Sequence, residues 1–341
     1  MTDPLARLDA TLGSGTRTGA RSRTIDVPPA LVELAARQLG LLSRRQCVAA
    51  GMPPGRIDRL TARGDWRVIT RGVLLVDPGA VPRGDWGARA RQRALVAALA
   101  GGPDVVVVGL GALALGGVHG LPLHYVPEFT SLSGVHLRSS AQARARRLER
   151  HAAIDGHPKL VQVGGVTIAG PLWALSQGLP GMDREHAVAV VDSALQVGAI
   201  SPSALPVLTD LLAGSRGVRS LRRWLTLVDG RAESPLETRA RLECHDAGVP
   251  PDDLQRVVLD ARGRFIGRCD MVWELGGGRL LVIEMDGGHH RRDGQIDIDN
   301  ARDNSLTRAA HVVYHYGWRH LGTHVIAATV RDELGRAGRA A

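Results

Sequence analysis

A chain of 341 residues is too long for one ordinary core; domains of roughly 100 to 150 residues predict two or three, filled by Val, Leu and Ala because aromatics make up only 3%. The net charge of +9 is carried almost entirely by arginine, with Lys159 the only lysine, and it is uneven: residues 1–72 hold 12 Arg against 6 acids, whereas residues 230–341 hold 16 Arg against 17. No apolar run of about 18 residues, no hydrophobic leader in MTDPLARLDATLGSG and no CxxC spacing among Cys47, Cys244 and Cys269 argue against a membrane span, a secreted product, a zinc ribbon and a disulfide framework, so a cytoplasmic protein that touches no membrane is expected.

Residues 1–29, polar and ending in Pro28 and Pro29, read as a flexible basic arm. From Leu31 the apolar spacing becomes helical, through Leu34 and Ala35 to Gln38, with Gly40 as the stop. Ser43 and Gln46 form a capping box that opens a second helix ending near Gly51. Pro53 and Pro54 suit the first turn of a third helix, PPGRIDRLTARG, which spaces Arg56, Arg59 and Arg63 along one exposed strip while Ile57 and Leu60 face inward. WRVITRGVLLVDPG, broken at Arg71-Gly72, predicts a two-stranded hairpin. Three short helices and a hairpin over residues 30–80 describe a winged helix-turn-helix, in which the third helix enters a DNA major groove and Arg67 and Arg71 on the wing grip phosphates. The same pattern also describes a small helical bundle with a solvated basic face.

Residues 81–228 read as a mixed α/β middle domain. DVVVVG is a buried strand, GALALGGVHGLP a small-residue helix, SLSGVHLRSS a further strand, and QVGGVTIAGPLWALSQ a strand running into a helix. HAVAVVDSALQVG, SALPVLTDLLAG and GVRSLRRWLTLV are helical, and no catalytic constellation is legible among them. Arg144, Arg146, Arg147 and Arg150 form either a solvated face or a nucleic-acid contact.

Residues 229–338 give the element order αβββαβ: SPLETRARLECHDAG, LQRVVLD, GRFIGRCDMVWEL, RLLVIEMD, IDNARDNSLTRAA and HVVYHY. The run Leu280 to Ile283 is apolar on both faces and belongs in a covered sheet, and it ends in two acids. Strand alternation points Glu284 and Asp286 the same way, opposite to Ile283 and Met285. Like charges at the end of a buried strand repel unless a cation or proton compensates them, and Asp270, one hairpin away across Gly276 to Gly278, can reach the same edge. Carboxylates without soft ligands favour Mg2+ or Mn2+, which polarise a phosphodiester and activate water. His289 and His290 follow at once, and a neutral imidazole there can move protons. The alternative is a turn at Asp286-Gly287-Gly288 with Glu284 paired to an arginine. Glu237 is either the acid of an S-x-x-E capping box, Ser234-Pro235-Leu236-Glu237, or an active-site acid.

At SPLE, RCDMVW, VIEMDGGHH and ARDNSL the chain resembles the domain-of-unknown-function family 559, relatives of the very-short-patch-repair endonucleases in the PD-(D/E)XK superfamily. The resemblance implies a restriction-endonuclease-like fold, metal coordination by Asp270 and Glu284, completion of the site by Asp286 and His290, and Glu237 as the helix acid. The superfamily's E-x-K lysine is replaced here by Asp286, so the charge stabilisation it supplies comes from His290, Arg302 or a second ion, or is absent, and no arginine accompanies Tyr314 in the last strand. Over residues 31–80, LLSRRQCVAAGMPPGRIDRLTARGDWRVITRGVLLVDPG is similar to the winged-helix domain of AbiEi-type antitoxins, and the middle region around GVHGLP to the segment that follows it in related actinobacterial proteins. The α+β, multi-domain chain is therefore expected to be a metal-dependent DNA endonuclease directed to duplex DNA by its winged helix. The alternative is a DNA-binding regulator or type IV antitoxin-like protein with an inactive nuclease fold, with a toxin partner or a second copy as its protein contact.

Overall fold

The computed structural model describes residues 27–102, 104–131, 139–140, 142–145, 157–260, 262–287, 306 and 310–339. The chain divides into two compact units, Met1–Gly181 with Pro206–Ser215 and Met182–Leu205 with Arg216–Ala341. The sequence-based boundary at residue 228 therefore runs differently: the helices at 184–196 and 218–225 pack with the second unit, because their apolar faces find their neighbours there.

The first unit opens with α1 (Pro29–Arg37), β1 (Leu41–Ser43), α2 (Arg44–Ala49), α3 (Pro54–Ala62), β2 (Arg67–Thr70) and β3 (Val73–Leu75). Leu31, Leu42, Cys47, Ile57, Trp66 and Leu74 form its core. The Ser43–Gln46 capping box is present in both directions, and Pro54 lies in the first turn of α3. The wing differs from expectation in one respect: Leu41–Ser43 adds a third strand, giving the antiparallel order β1-β3-β2. Gly40 makes that strand possible, since its φ of +81° turns the chain and an added Cβ would lie 2.1 Å from the Asp77 carbonyl oxygen.

Beyond the wing, α4 (Trp86–Gly101) precedes β4 (Val105–Val108) and α5 (Gly109–Leu115). β5 (Glu128–Ser131), β6 (Arg144–Ala145), β7 (Leu160–Val163) and β8 (Val166–Ala169) complete a mixed sheet of order β6-β5-β4-β8-β7. One expectation is corrected here. QVGGVTIAG is a hairpin, because Gly164 and Gly165 both take positive φ and reverse the chain, and only then does α6 (Pro171–Gly178) begin. The strand expected at SLSGVHLRSS lies mostly outside the described residues, and the strand found ends at Ser131. Arg144 pairs with Glu128 at 3.9 Å, while Arg146, Arg147 and Arg150 lie outside the described residues.

The second unit holds α7 (Arg184–Gln196), α9 (Val218–Leu225) and α10 (Pro235–Asp246), with α8 (Leu205–Leu211) between the first two in sequence. Then come β9 (Asp253–Leu259), β10 (Phe265–Gly276), β11 (Arg279–Met285), β12 (Val312–Tyr316) and α11 (Val325–Arg336). The sheet order is β12-β11-β10-β9, antiparallel except for the parallel β11–β12 pair. Leu236, Ala240 and Cys244 of α10 and Ile326 and Val330 of α11 pack on one face against Met271, Trp273, Leu281, Ile283 and Met285. Val272, Leu280, Val282 and Leu306 pack on the other, so the strand read as covered on both faces is so. The expected helix IDNARDNSLTRAA falls outside the described residues apart from the buried Leu306 and the exposed Ala310. Burial pushes the Cys47 thiol up to about 11 and the Cys244 thiol up to about 12, so both serve as small apolar fillers. Among the described residues no helix is long and apolar enough to cross a membrane.

Candidate functional site

Two places in the fold gather the residues singled out by sequence. In the first, α2, the turn at Gly51 to Pro53, and α3 form a helix-turn-helix whose second helix buries Ile57 and Leu60 and turns its other face outward. Arg59 and Arg63 are exposed, Arg56 is half-buried, and Arg63 caps the helix end, where its Nε lies 3.1 Å from Asp65. On the wing, Arg71 is exposed in the β2–β3 turn, whereas Arg67 is half-buried. The single strip expected from spacing is thus split: Arg59 and Arg71 stand out most fully, and Arg63 is engaged by an acid of its own loop.

Arg44 carries no part of the sequence expectation, yet it sets the helix pair. Its guanidinium donates two hydrogen bonds to the Asp58 carboxylate, at 2.5 and 3.0 Å, tying the start of α2 to the middle of α3. The contact holds Asp58 below the usual carboxylate range, chiefly through that hydrogen bond, and neutralises the one acid on the helix that also carries Arg56 and Arg59. The signal was an arginine beside a cap and an acid about one helical turn into the next helix; pairing them needed the three-dimensional turn.

The second place is the edge where β9, β10 and β11 meet the start of α10. The register that pairs Met271 with Ile283 sets Asp270 opposite Glu284, so their side chains rise from the same face. Glu284 is only 7% exposed, and Asp270 accepts a hydrogen bond from the Met285 amide at 2.8 Å. Glu237 lies close by: the Gln255 side-chain amide donates both to Glu237 Oε2 at 2.8 Å and to Asp270 Oδ1 at 3.1 Å. Glu237 also caps its own helix, accepting from Ser234 Oγ at 2.7 Å and from the Glu233 amide at 2.9 Å. The cap expected from sequence is present, and the same carboxylate stands beside Asp270 through Gln255. Burial, then the neighbouring Asp270 charge, pushes the Glu237 carboxyl up, against the pull of those hydrogen bonds.

Gln255 is the residue that sequence reasoning missed here. Its φ of 51° places a non-glycine residue in the left-handed region inside a strand, a conformation that costs on the order of 1 kcal/mol and persists where surrounding contacts hold it. Its bridge between two candidate acids is such a contact. His315 was missed as well: β12 pairs in parallel with β11 so that His315 sits beside Glu284, and alternation puts it on the face of Val313. Asp286 is exposed just beyond β11, and its amide continues the ladder to the Tyr316 carbonyl at 2.7 Å. His289, His290 and Arg302 lie outside the described residues. Lys159 belongs to the first unit.

These oxygens suit a hard cation by chemistry, yet no group of three His, Cys, Asp or Glu among the described residues is arranged to hold a metal ion. Asp270 and Glu284 remain as a carboxylate pair, the number with which Mg2+ is commonly held when waters and a phosphate complete its shell.

The Glu237 end of α10 is fixed from below by Asp192 of α7, which is 1% exposed. Its Oδ1 accepts from the Asp229 amide at 2.7 Å, and its Oδ2 from Thr238 Oγ1 and Arg241, each at 2.8 Å. Burial pushes this carboxyl up to about 6, while Arg241 and the three donors oppose that rise.

Comparison with known proteins bears on the first of these places. Over 115 residues the chain is 31% identical to the uncharacterized proteins Rv2248 and MT2308 from two strains of Mycobacterium tuberculosis, a match covering 34% of this chain. The chain spans about 42% of the length of these curated relatives. Residues 29–76, which fold as the three helices and the wing, match the family described as "Transcriptional regulator, AbiEi antitoxin".

Proposed function

We propose that the protein is a DNA-binding transcriptional regulator that reads duplex DNA through residues 29–76, as part of an antitoxin-like system. The observation that carries this reading is the helix-turn-helix itself, with Arg56 and Arg59 on an otherwise anchored α3, Arg71 at the tip of the wing, and a family match confined to the same residues. Each arginine that neutralises a phosphate releases counterions, so affinity falls with salt at a slope of about 0.9 per contact. The test is fluorescence anisotropy of the full chain on duplex DNA, its own promoter included, between about 50 and 200 mM salt. Replacing Arg56, Arg59 and Arg71 by Gln is expected to reduce the slope by roughly 2 to 3. Binding that is absent, or that ignores both salt and these substitutions, refutes the reading. A toxin or a second copy as protein partner belongs to the same proposal, and co-purification of the operon neighbour or sedimentation decides between them.

A second reading is supported by a strained Gln255 that bridges Glu237 and Asp270, with Glu284 opposite Asp270 in the β10–β11 register. In it the second unit is a metal-dependent DNA endonuclease. Asp270 and Glu284 would hold Mg2+ or Mn2+, with Glu237, Asp286 and His290 around them. Such an ion would polarise a phosphodiester and lower the pKa of its bound water. Its test is nicking of plasmid DNA with either metal; cleavage no greater than that of an Asp270→Ala, Glu284→Ala double variant removes this reading and leaves the first intact.

A further inference from the structure

Many described arginines of the second unit are neutralised on the spot. Arg184 meets Asp246, Arg231 meets Asp229 and Asp253, Arg241 meets Asp192, Arg256 meets Glu274, Arg264 meets Asp260, Arg268 meets Glu233 and Arg339 meets Asp252. This is how a solvated arginine-rich surface is ordinarily made.

Helix α9 departs from that rule. Between Asp210 and Asp229 the sequence holds Arg216, Arg219, Arg222 and Arg223 and no acid. All four arginines are exposed, and none forms an ion pair with a described residue. The helix buries Leu221 against α7 and half-buries Val218 and Leu225. Arg219, Arg222, Arg223 and Thr226 then fall at i, i+3, i+4 and i+7, one continuous outward stripe. Helix stability explains only part of the stripe: Arg222 and Arg223 lie in the last turn, where the helix dipole favours cations, but Arg219 does not. Arg219 stands in a first turn that holds no acid, behind a left-handed Gly217 with no side-chain cap, where the helix dipole disfavours a cation.

A row of guanidinium groups about one helical turn apart, free of acids, complements a polyanion whose charges repeat at similar spacing. A lipid surface fits less well, because the apolar side that would enter the bilayer is already used by α7. We propose that the Arg219–Arg222–Arg223 stripe, with Arg216 just ahead of the helix, is a second nucleic-acid contact, which grips the phosphate backbone of duplex DNA without reading its bases. The inference rests on the DNA-binding reading above and adds to it: the second unit contributes affinity and salt dependence, not sequence choice.

The experiment uses the full chain in four forms: unaltered, with Arg219, Arg222 and Arg223 changed to Gln, with the same three changed to Lys, and with Arg56, Arg59 and Arg71 changed to Gln. Anisotropy is measured on a duplex of the promoter and on one of scrambled sequence, across the same salt range. The Gln stripe variant is expected to lose roughly 2 to 3 of the salt slope and to weaken equally on both duplexes, while the Lys variant, which keeps the charge, retains most of the binding. Circular dichroism and melting identical to the unaltered chain confirm that each variant is folded. If the unaltered chain binds and the α3-and-wing variant weakens while the Gln stripe variant does not, the stripe proposal is overturned and the regulator reading stands. If the unaltered chain does not bind, both fall. Retention of the stripe-dependent interaction only on anionic lipid vesicles, or only with an acidic protein partner, also overturns it.

Discussion

Asp192 offers the sharpest test of how the second unit holds its candidate acids in place. Asp192→Ala removes a carboxylate that is 1% exposed and leaves Arg241, 11% exposed, without its counterion. Breaking a buried pair from one side costs about 3 to 5 kcal/mol, because the remaining charge keeps its desolvation penalty. The Asp229 amide and the Thr238 hydroxyl lose their acceptor in the same step, a loss that overlaps with the first and does not simply add to it. For a unit of this size about 4 kcal/mol lowers Tm by roughly 8 to 16 °C. Asp192→Leu with Arg241→Met should recover most of that, since replacing both partners by apolar groups removes the orphaned charge. The pH dependence follows from the same burial. The folded carboxyl is pushed up to about 6 from its ordinary value near 3.8, so its contribution is fully present below that ordinary value and is lost as pH rises through about 6. That contribution amounts to roughly 3 kcal/mol between pH about 4 and 7, and Asp192→Asn should flatten it. Calorimetric unfolding with each variant, at both ends of that pH range, measures all three effects. A loss below about 1 kcal/mol for Asp192→Ala, or a double variant no more stable than the single one, would refute the reasoning.

Three further outcomes are expected. Gly40→Ala should destabilise the first unit by more than about 1 kcal/mol in denaturant titration, because the residue has φ +81° and its new Cβ would meet the Asp77 carbonyl; an unchanged midpoint would mean that the β1–β3 pairing can shift at little cost. Asp58→Asn should tighten non-specific DNA binding without moving Tm, and Arg44→Gln should weaken it, since the exposed pair orients α3 and screens its acid more than it stabilises the fold; equal effects of the two changes would contradict this. If Asp270 and Glu284 hold a hard cation, millimolar Mg2+ should raise Tm for the unaltered chain and not for Glu284→Gln, as mass action requires of a ligand that binds only the folded form; equal shifts in both would place the ion elsewhere.

Much of this architecture was legible because it is local. Ser43 and Gln46 cap a helix from three residues apart, Pro54 opens one, and the alternation in RLLVIEMD assigns Ile283 and Glu284 to opposite faces without knowledge of any partner. What escaped depends on register and on distance along the chain. Leu41 to Ser43 is too short to announce itself as a strand and becomes one only because β3 lies beside it. His315 gains its meaning from parallel pairing with Glu284, thirty-one positions earlier, and Gln255 from a backbone conformation that no side-chain pattern encodes. The same distinction separates the two arginine populations. A count over residues 230–341 finds a near-neutral region, and several of its arginines do meet acids there. Helix α9 sits just upstream of that window, was read only as another helix, and carries Arg219, Arg222 and Arg223, with Arg216 just ahead of it and no acid among them. Net charge per region hides such a stripe; charge per exposed helix face, which needs the buried side of the helix to be known first, brings it out.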